Sequence, residues 1–92
     1  MTSINYLKIF KALADENRLQ LLKRIASANE VCVCKLIDET EMAQSRLSYH
    51  LKLLLEAGLI NVTPQGKWNF YAVNYSVLQA VFSEQTINKL LK

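Results

Sequence analysis

Nothing in these 92 residues approaches ~18 consecutive apolar side chains, so no stretch reads as a membrane span. The N-terminus lacks the basic-then-apolar layout of a secretory signal. The expectation is a cytoplasmic protein whose two cysteines stay reduced. There is one histidine, His50, so an imidazole-rich metal centre has nothing to be built from. No internal repeat, linker or low-complexity tract divides the chain, and 1–92 reads as a single domain. A thiol catalyst built on Cys34 and His50 would need an orienting acid and an oxyanion loop. Neither is evident, so an enzyme is not expected.

What is present is apolar and mildly basic. The hydrophobic content is 51%. A chain this short buries only about 60–65% of its unfolded surface, so an apolar face shared with a second copy would help it. The net charge is +3, from five cations and three anions in residues 1–30, three and four in 31–57, and three and one in 58–92. The slightly acidic middle does not suit a protein held to nucleic acid by bulk charge alone, although a dimer doubles its cations.

That middle holds the most informative stretch, Glu41 to Leu59, EMAQSRLSYHLKLLLEAGL. At helical spacing Leu47, Leu51 and Leu54 share one face, and Gln44, Ser45, Ser48, Tyr49 and Lys52 share another. The first is a core stripe. The second combines hydrogen-bonding side chains with an aromatic and a cation but no acid, which suits base edges and phosphates. It is also compatible with an ordinary solvated face. Gly58 follows Ala57 where a left-handed cap would end the helix.

From the start of the chain, Ile4 to Leu13 reads as a short helix with Leu7 and Phe10 on one face. Asp15 caps a second helix that runs to about Ala26, with Leu21, Leu22 and Ile25 buried. Val31 to Thr40 reads as a third helix with Val33, Leu36 and Ile37 inward. Thr40 and Glu41 then turn into the Gln44 helix, the layout of a helix-turn-helix, although no glycine marks the turn. Leu59–Thr63 and Trp68–Val73 read as two strands. Pro64 and Gly66 between them suit a turn and a left-handed residue, and both faces of the second strand are partly apolar. Asn74 can cap a last helix from Tyr75, whose apolar phase slips at Ser83–Thr86. The fold class is mostly α with a β-hairpin, a winged helix-turn-helix in the order α-α-α-α-β-β-α.

Four segments in this order resemble the ArsR/SmtB family of metal-responsive repressors: FKALADENRLQLLKRI, VCVCKL, QSRLSYHLKLLLEAGLI and GKWNFYAV. The first carries the Leu13-Ala14-Asp15 and Arg18-Leu19 core. The second is similar to the thiol motif of arsenic-responsive members, and the third to the family's reading helix. The resemblance spans roughly residues 7–82 and implies a homodimer held by the first and last helices. Leu7, Phe10, Leu78 and Phe82 are the interface candidates. It implies repression through a double-stranded operator, an inverted repeat with half-sites about 34–36 Å apart, relieved by a metal or metalloid. Gln44, Ser45, Ser48 and Tyr49 are then candidates for base edges, and Arg46, His50 and Lys52 for phosphates. Lys67 at the hairpin tip would reach backbone or minor groove. His50 has an equal reading as a helix-packing residue, and Lys67 as a solvated turn lysine.

Cys32 and Cys34 are the candidate metal ligands, since thiolates capture As(III), Sb(III) and other thiophilic ions. No obligatory cofactor is implied. Residues i and i+2 of a regular helix lie ~200° apart and cannot share an ion, so joint ligation needs Cys32 outside the helix or an unwound first turn. The alternatives are two buried, hydrophobe-like cysteines or a redox-active pair, in a winged-helix regulator or protein-interaction module without a metal response. Many arsenic-responsive members carry a third cysteine where this chain has Ile37. The family's last-helix zinc site would need His and carboxylates, and residues 75–92 offer only Glu84.

Overall fold

Asn5 opens the first helix, α1 (Tyr6–Leu13), its side-chain oxygen accepting from the Lys8 amide at 3.1 Å. The computed structural model describes residues 4–92. Asp15 caps α2 (Glu16–Ala28) in the same way, accepting from the Arg18 amide at 3.1 Å. A two-residue strand, β1 (Val31–Cys32), precedes α3 (Val33–Thr40). Helix α4 (Gln44–Glu56) follows, then β2 (Ile60–Gln65), β3 (Trp68–Val73), α5 (Tyr75–Val81) and α6 (Glu84–Leu91). This is a winged helix-turn-helix, with a small antiparallel sheet in the order β1-β3-β2.

Four expectations about these elements are corrected. The segment from Val31 is not helical at its start, because Val31 pairs with Tyr71 and Cys32 with Phe70 on β3. The C-terminal segment is two helices. Phe82 turns extended and Ser83 caps α6 by accepting from the Thr86 amide at 3.2 Å. The Asn74 side chain makes no capping hydrogen bond to α5. Pro64 lies inside β2 opposite Asn69 rather than in the turn. The sheet tolerates it there because β2 is an edge strand. Gln65 pairs with Trp68, so Gly66 and Lys67 alone form the connection, and Gly66 takes φ 64° at its first position.

The core sits between α2, α4 and the sheet. Leu21, Leu22 and Ile25 meet Leu47, Leu51 and Leu54, with Leu36, Leu59 and Ile60 closing it. On β3, Tyr71 and Val73 face inward while Trp68 and Asn69 are exposed. Helix α1 turns Ile9 and Ala12 into this core and leaves Leu7 and Phe10 outside. The end of α4 is a Schellman motif. Leu59 N–H donates to Leu54 C=O at 3.0 Å, and Gly58 N–H to Leu55 C=O at 2.9 Å. Gly58 takes φ 77°, and a Cβ there would meet Val77 only at an ordinary 3.7 Å. Backbone conformation, not space, calls for glycine at that position.

Candidate nucleic-acid interface

Helix α4 is held by its leucines and presents its polar side to solvent. Leu47, Leu51 and Leu54 are at most 2% exposed. Gln44, Ser45, Arg46, Ser48, Tyr49 and Lys52 are all exposed. Ala43 at the N-cap offers no side-chain acceptor to the first-turn amides. Those free N–H groups and the helix dipole leave this end attractive to an anion such as phosphate. Lys52 reaches Glu56 at 3.9 Å along the exposed face, a loose pair that a phosphate can displace.

The turn before α4 is tightened by Thr40. Its hydroxyl donates to Leu36 C=O at 2.7 Å and accepts from Met42 N–H at 3.3 Å. Glu41 takes the left-handed conformation, φ 56°, that glycine more often supplies. That explains a helix-turn-helix turn without glycine.

Lys67 stands exposed at the tip of the β2–β3 hairpin, its Nζ 5.9 Å from the centre of the Trp68 ring. The half-exposed indole steadies the ammonium through its π face without burying it. Gln65 donates to Glu30 at 3.3 Å, which ties the hairpin back to the connection between α2 and β1.

His50 departs from the expected phosphate contact. It is 5% exposed, among the buried residues rather than on the exposed polar face of α4, so no phosphate reaches it without displacing the core. Its Nδ1 lies 3.3 Å from Nη1 of Arg18. A guanidinium only donates, so Nδ1 accepts and the ring proton sits on Nε2. Burial lowers its pKa below the ordinary 6.5, and Arg18 and Arg46 push the same way against Asp15. Arg18 enters the sequence reading only as part of the family motif, and its role at His50 was missed. The signal was a long cation three residues after a capping Asp, in a chain with one histidine to meet it.

The cysteines lie on either side of a boundary. Cys32 ends β1 outside the helix, and Cys34 is in the first turn of α3. The Cys34 amide donates to Cys32 Sγ at 3.2 Å, so the sulfur also serves as the helix cap. The two sulfurs are joined as a disulfide, in place of the expected free thiols. Both residues are half-buried. Among the described residues no group of three or more His, Cys, Asp or Glu gathers as a metal site. The pair alone therefore offers two sulfurs and no third ligand.

Of the interface candidates, Leu7 and Phe10 are 64% and 52% exposed. Phe82 is half-buried, with its ring centre 6.3 Å from that of Phe10 in an edge-on contact. Leu78 is fully buried in the core of its own chain and so is unavailable to a partner.

Known proteins are similar to this chain in sequence and in shape. The profile of the bacterial regulatory protein, arsR family, matches residues 15–62. The arsenical resistance operon repressor of Bacillus subtilis is 41% identical over 80 residues, 87% of this chain and 76% of that protein. HlyU from Vibrio cholerae superposes with a TM-score of 0.74 at 31% identity, over 92% of this chain and 89% of that one. A homodimeric winged helix-turn-helix DNA-binding domain from Mycobacterium bovis superposes with a TM-score of 0.76 at 26% identity, over 91% and 78%.

Proposed function

The chain belongs to the arsR family of bacterial regulatory proteins, and from that premise we propose that it is a homodimeric repressor released from its operator by a trivalent arsenical or antimonial. Membership makes it a DNA-binding transcriptional regulator and not an enzyme. The finer reading has α4 entering the major groove of each half of an inverted repeat, with the Lys67 hairpin on the flanking backbone.

The observation that carries DNA reading is the exposed face of α4, which presents Gln44, Ser45, Ser48 and Tyr49 opposite a fully buried leucine stripe. Gln and Ser can donate and accept at base edges, while Arg46 and Lys52 supply charge for phosphates. Dimerisation through Leu7 and Phe10 is supported by their exposure on a helix whose other face is already buried. No helix among the described residues is long and apolar enough to cross a membrane. A cytoplasmic protein with access to its operator is the corresponding proposal.

The effector proposal rests on the position of Cys32. Because it precedes α3, both sulfurs can turn to one side, which a regular helix would forbid. Once reduced, the two thiols can condense with a monosubstituted arsenous acid, forming two As–S bonds and releasing two waters. Inorganic As(III) would need a third sulfur from a free thiol or a partner chain. The chain's sulfur–sulfur bond favours a second reading, in which peroxide oxidises the dithiol to a disulfide, itself becoming two waters.

The deciding experiment measures binding to DNA upstream of the chain's own gene against a scrambled duplex, with phenylarsine oxide added to the fully reduced protein. Sequence-selective binding that the arsenical abolishes supports the proposal. Equal binding to both duplexes removes it.

A further inference from the structure

Apolar packing fixes how deep a helix sits, but it is non-directional and sets rotation about the helix axis weakly. A hydrogen bond with fixed geometry sets rotation well. The leucine stripe of α4 meets one such bond, at His50. Among the described residues it is the one polar side chain that is buried. Its partner, Arg18, has a side chain only 13% exposed and spreads its fork over two other elements, α1 and α4. Nε donates to Ala12 C=O at 2.7 Å, Nη2 to Lys11 C=O at 3.2 Å, and Nη1 points to His50 Nδ1 at 3.3 Å. The two carbonyls belong to the last turn of α1, where helix carbonyls run short of intrahelical donors, and Lys11 C=O also accepts from the Ala14 amide at 3.3 Å. The guanidinium itself stands on the first turn of α2. The neighbour of His50 in the chain is Tyr49, 57% exposed, with its ring centre 5.5 Å from the imidazole in an edge-on contact.

We propose that Arg18 and His50 are positioning residues for DNA reading: together they set the rotation of α4, and so the direction of Tyr49, from the corner between α1 and α2. Neither touches DNA. The proposal rests on α4 being the reading helix. Loss of the bond lets α4 turn on its leucines, and the exposed side chains meet the groove at the wrong angle. A purely structural role would lower stability and leave the affinity of folded molecules unchanged.

The bond needs a neutral imidazole, because Arg18 is always charged. The charges facing the ring are Asp15 and Arg18 from the α2 corner and Arg46 from its own helix. Lys8, Lys11 and Glu56 line the cleft that Arg18 and Tyr49 share. A second proton would set cation against cation, so operator affinity should fall with acid for a reason located at this ring.

The test compares operator affinity of the full-length wild type, His50→Phe and His50→Asn, together with circular dichroism. Phenylalanine keeps the ring volume without an acceptor. Asparagine puts an amide oxygen near the Nδ1 position and does not titrate. His50→Phe should lose about tenfold in affinity at about pH 8 with helical content unchanged, and His50→Asn should recover it. Between about pH 8 and about pH 5 the wild type should weaken more steeply than His50→Asn. Wild-type affinity in His50→Phe overturns the proposal, as does a pH profile in His50→Asn that matches the wild type. If His50→Phe does not fold, the His50→Asn profile decides. A wild type without sequence-selective binding fails earlier, at the reading of α4 itself.

Discussion

Phe10 of α1 and Phe82 after α5 meet edge to face, their ring centres 6.3 Å apart, joining two segments distant in sequence. Beside this contact Leu7 projects outward at 64% exposure, next to Tyr6 at 52%. An aromatic-aliphatic patch of this kind on a short helix is better covered than solvated. Leu7→Glu keeps every buried contact of the monomer and places a charge against the proposed partner. The expected result in sedimentation is a folded monomer, with helical content unchanged. A dimer of wild-type affinity would move the interface elsewhere. Phe82→Glu is the poorer probe, because Phe82 is half-buried within its own chain and its loss confounds folding with association.

A second expectation concerns discrimination. Replacing Gln44 and Ser48 with alanine removes two exposed polar side chains and leaves the leucine stripe intact. The double variant should lose about 1–3 kcal/mol of preference for operator over scrambled duplex for each base contact removed. Its salt dependence should be unchanged, because phosphate contacts carry that slope. Arg46→Ala should do the converse, weakening both duplexes alike and flattening the salt slope by about one. An unaltered preference in the double variant would take these two residues out of base reading.

How much of this could be read in advance follows from where the information lies. The α2 and α4 stripes are local, and Leu21, Leu22, Ile25, Leu47, Leu51 and Leu54 are all buried as their spacing predicts. Asp15 and Gly58 act as the caps their chemistry suggests. β1 could not be read, because two residues become a strand only through pairing with Phe70 and Tyr71, far along the chain. Helix α1 is apolar on two sides, and local periodicity does not say that Ile9 and Ala12 go inward. The same ambiguity misassigned Leu78. On β3 both faces carry aromatics, and only the packing of Tyr71 and Val73 settles which is buried. In the candidate interface, Gln44, Ser45, Ser48, Tyr49 and Lys52 are all exposed, as their helical spacing predicts. The loss of His50 to the core depends on Arg18, thirty-two positions away.

Acid should weaken the fold in two steps of the same sign. His50 has its pKa held below 6.5 chiefly by burial, so below that pH the unfolded chain takes up a proton the folded chain resists. Stability is fully present above 6.5 and falls as pH drops through the folded value. Asp15 has its pKa held below 3.8, first by the Arg18 amide, so its contribution is present above 3.8 and lost at more acid pH. Thermal melts should show both steps in the wild type, and His50→Asn should lack the first. Asp15→Ala should cost about 1 kcal/mol near neutrality through the lost cap. That is roughly 4–8 °C in melting temperature for a domain of this size. An Asp15→Ala protein that melts with the wild type would show the cap to be replaceable by water.

The disulfide sets the order of events at the cysteines. A sulfur in an S–S bond has no proton to release and no thiolate charge to donate, so the oxidised chain cannot bind arsenic at this site. Reduction must come first. Reduced protein should then take up one phenylarsine oxide per chain, forming As–S bonds to Cys32 and Cys34 while the arsenical's oxygen leaves with the two thiol protons as one water, and let go of operator DNA. The same reagent added to oxidised protein should do nothing. Cys32→Ser and Cys34→Ser should each abolish the response, since one thiol gives only a single, exchangeable As–S bond. Arsenite should act more weakly than the organic arsenical, because Ile37 stands where a third thiol would be needed. Adding a small monothiol should narrow that gap by supplying the third bond. Oxidation offers the competing outcome. If peroxide alone releases the DNA while arsenicals leave it bound to reduced protein, the pair senses redox state. If both single variants still respond to phenylarsine oxide as the wild type does, neither sulfur is a ligand and the pair serves only to cap α3.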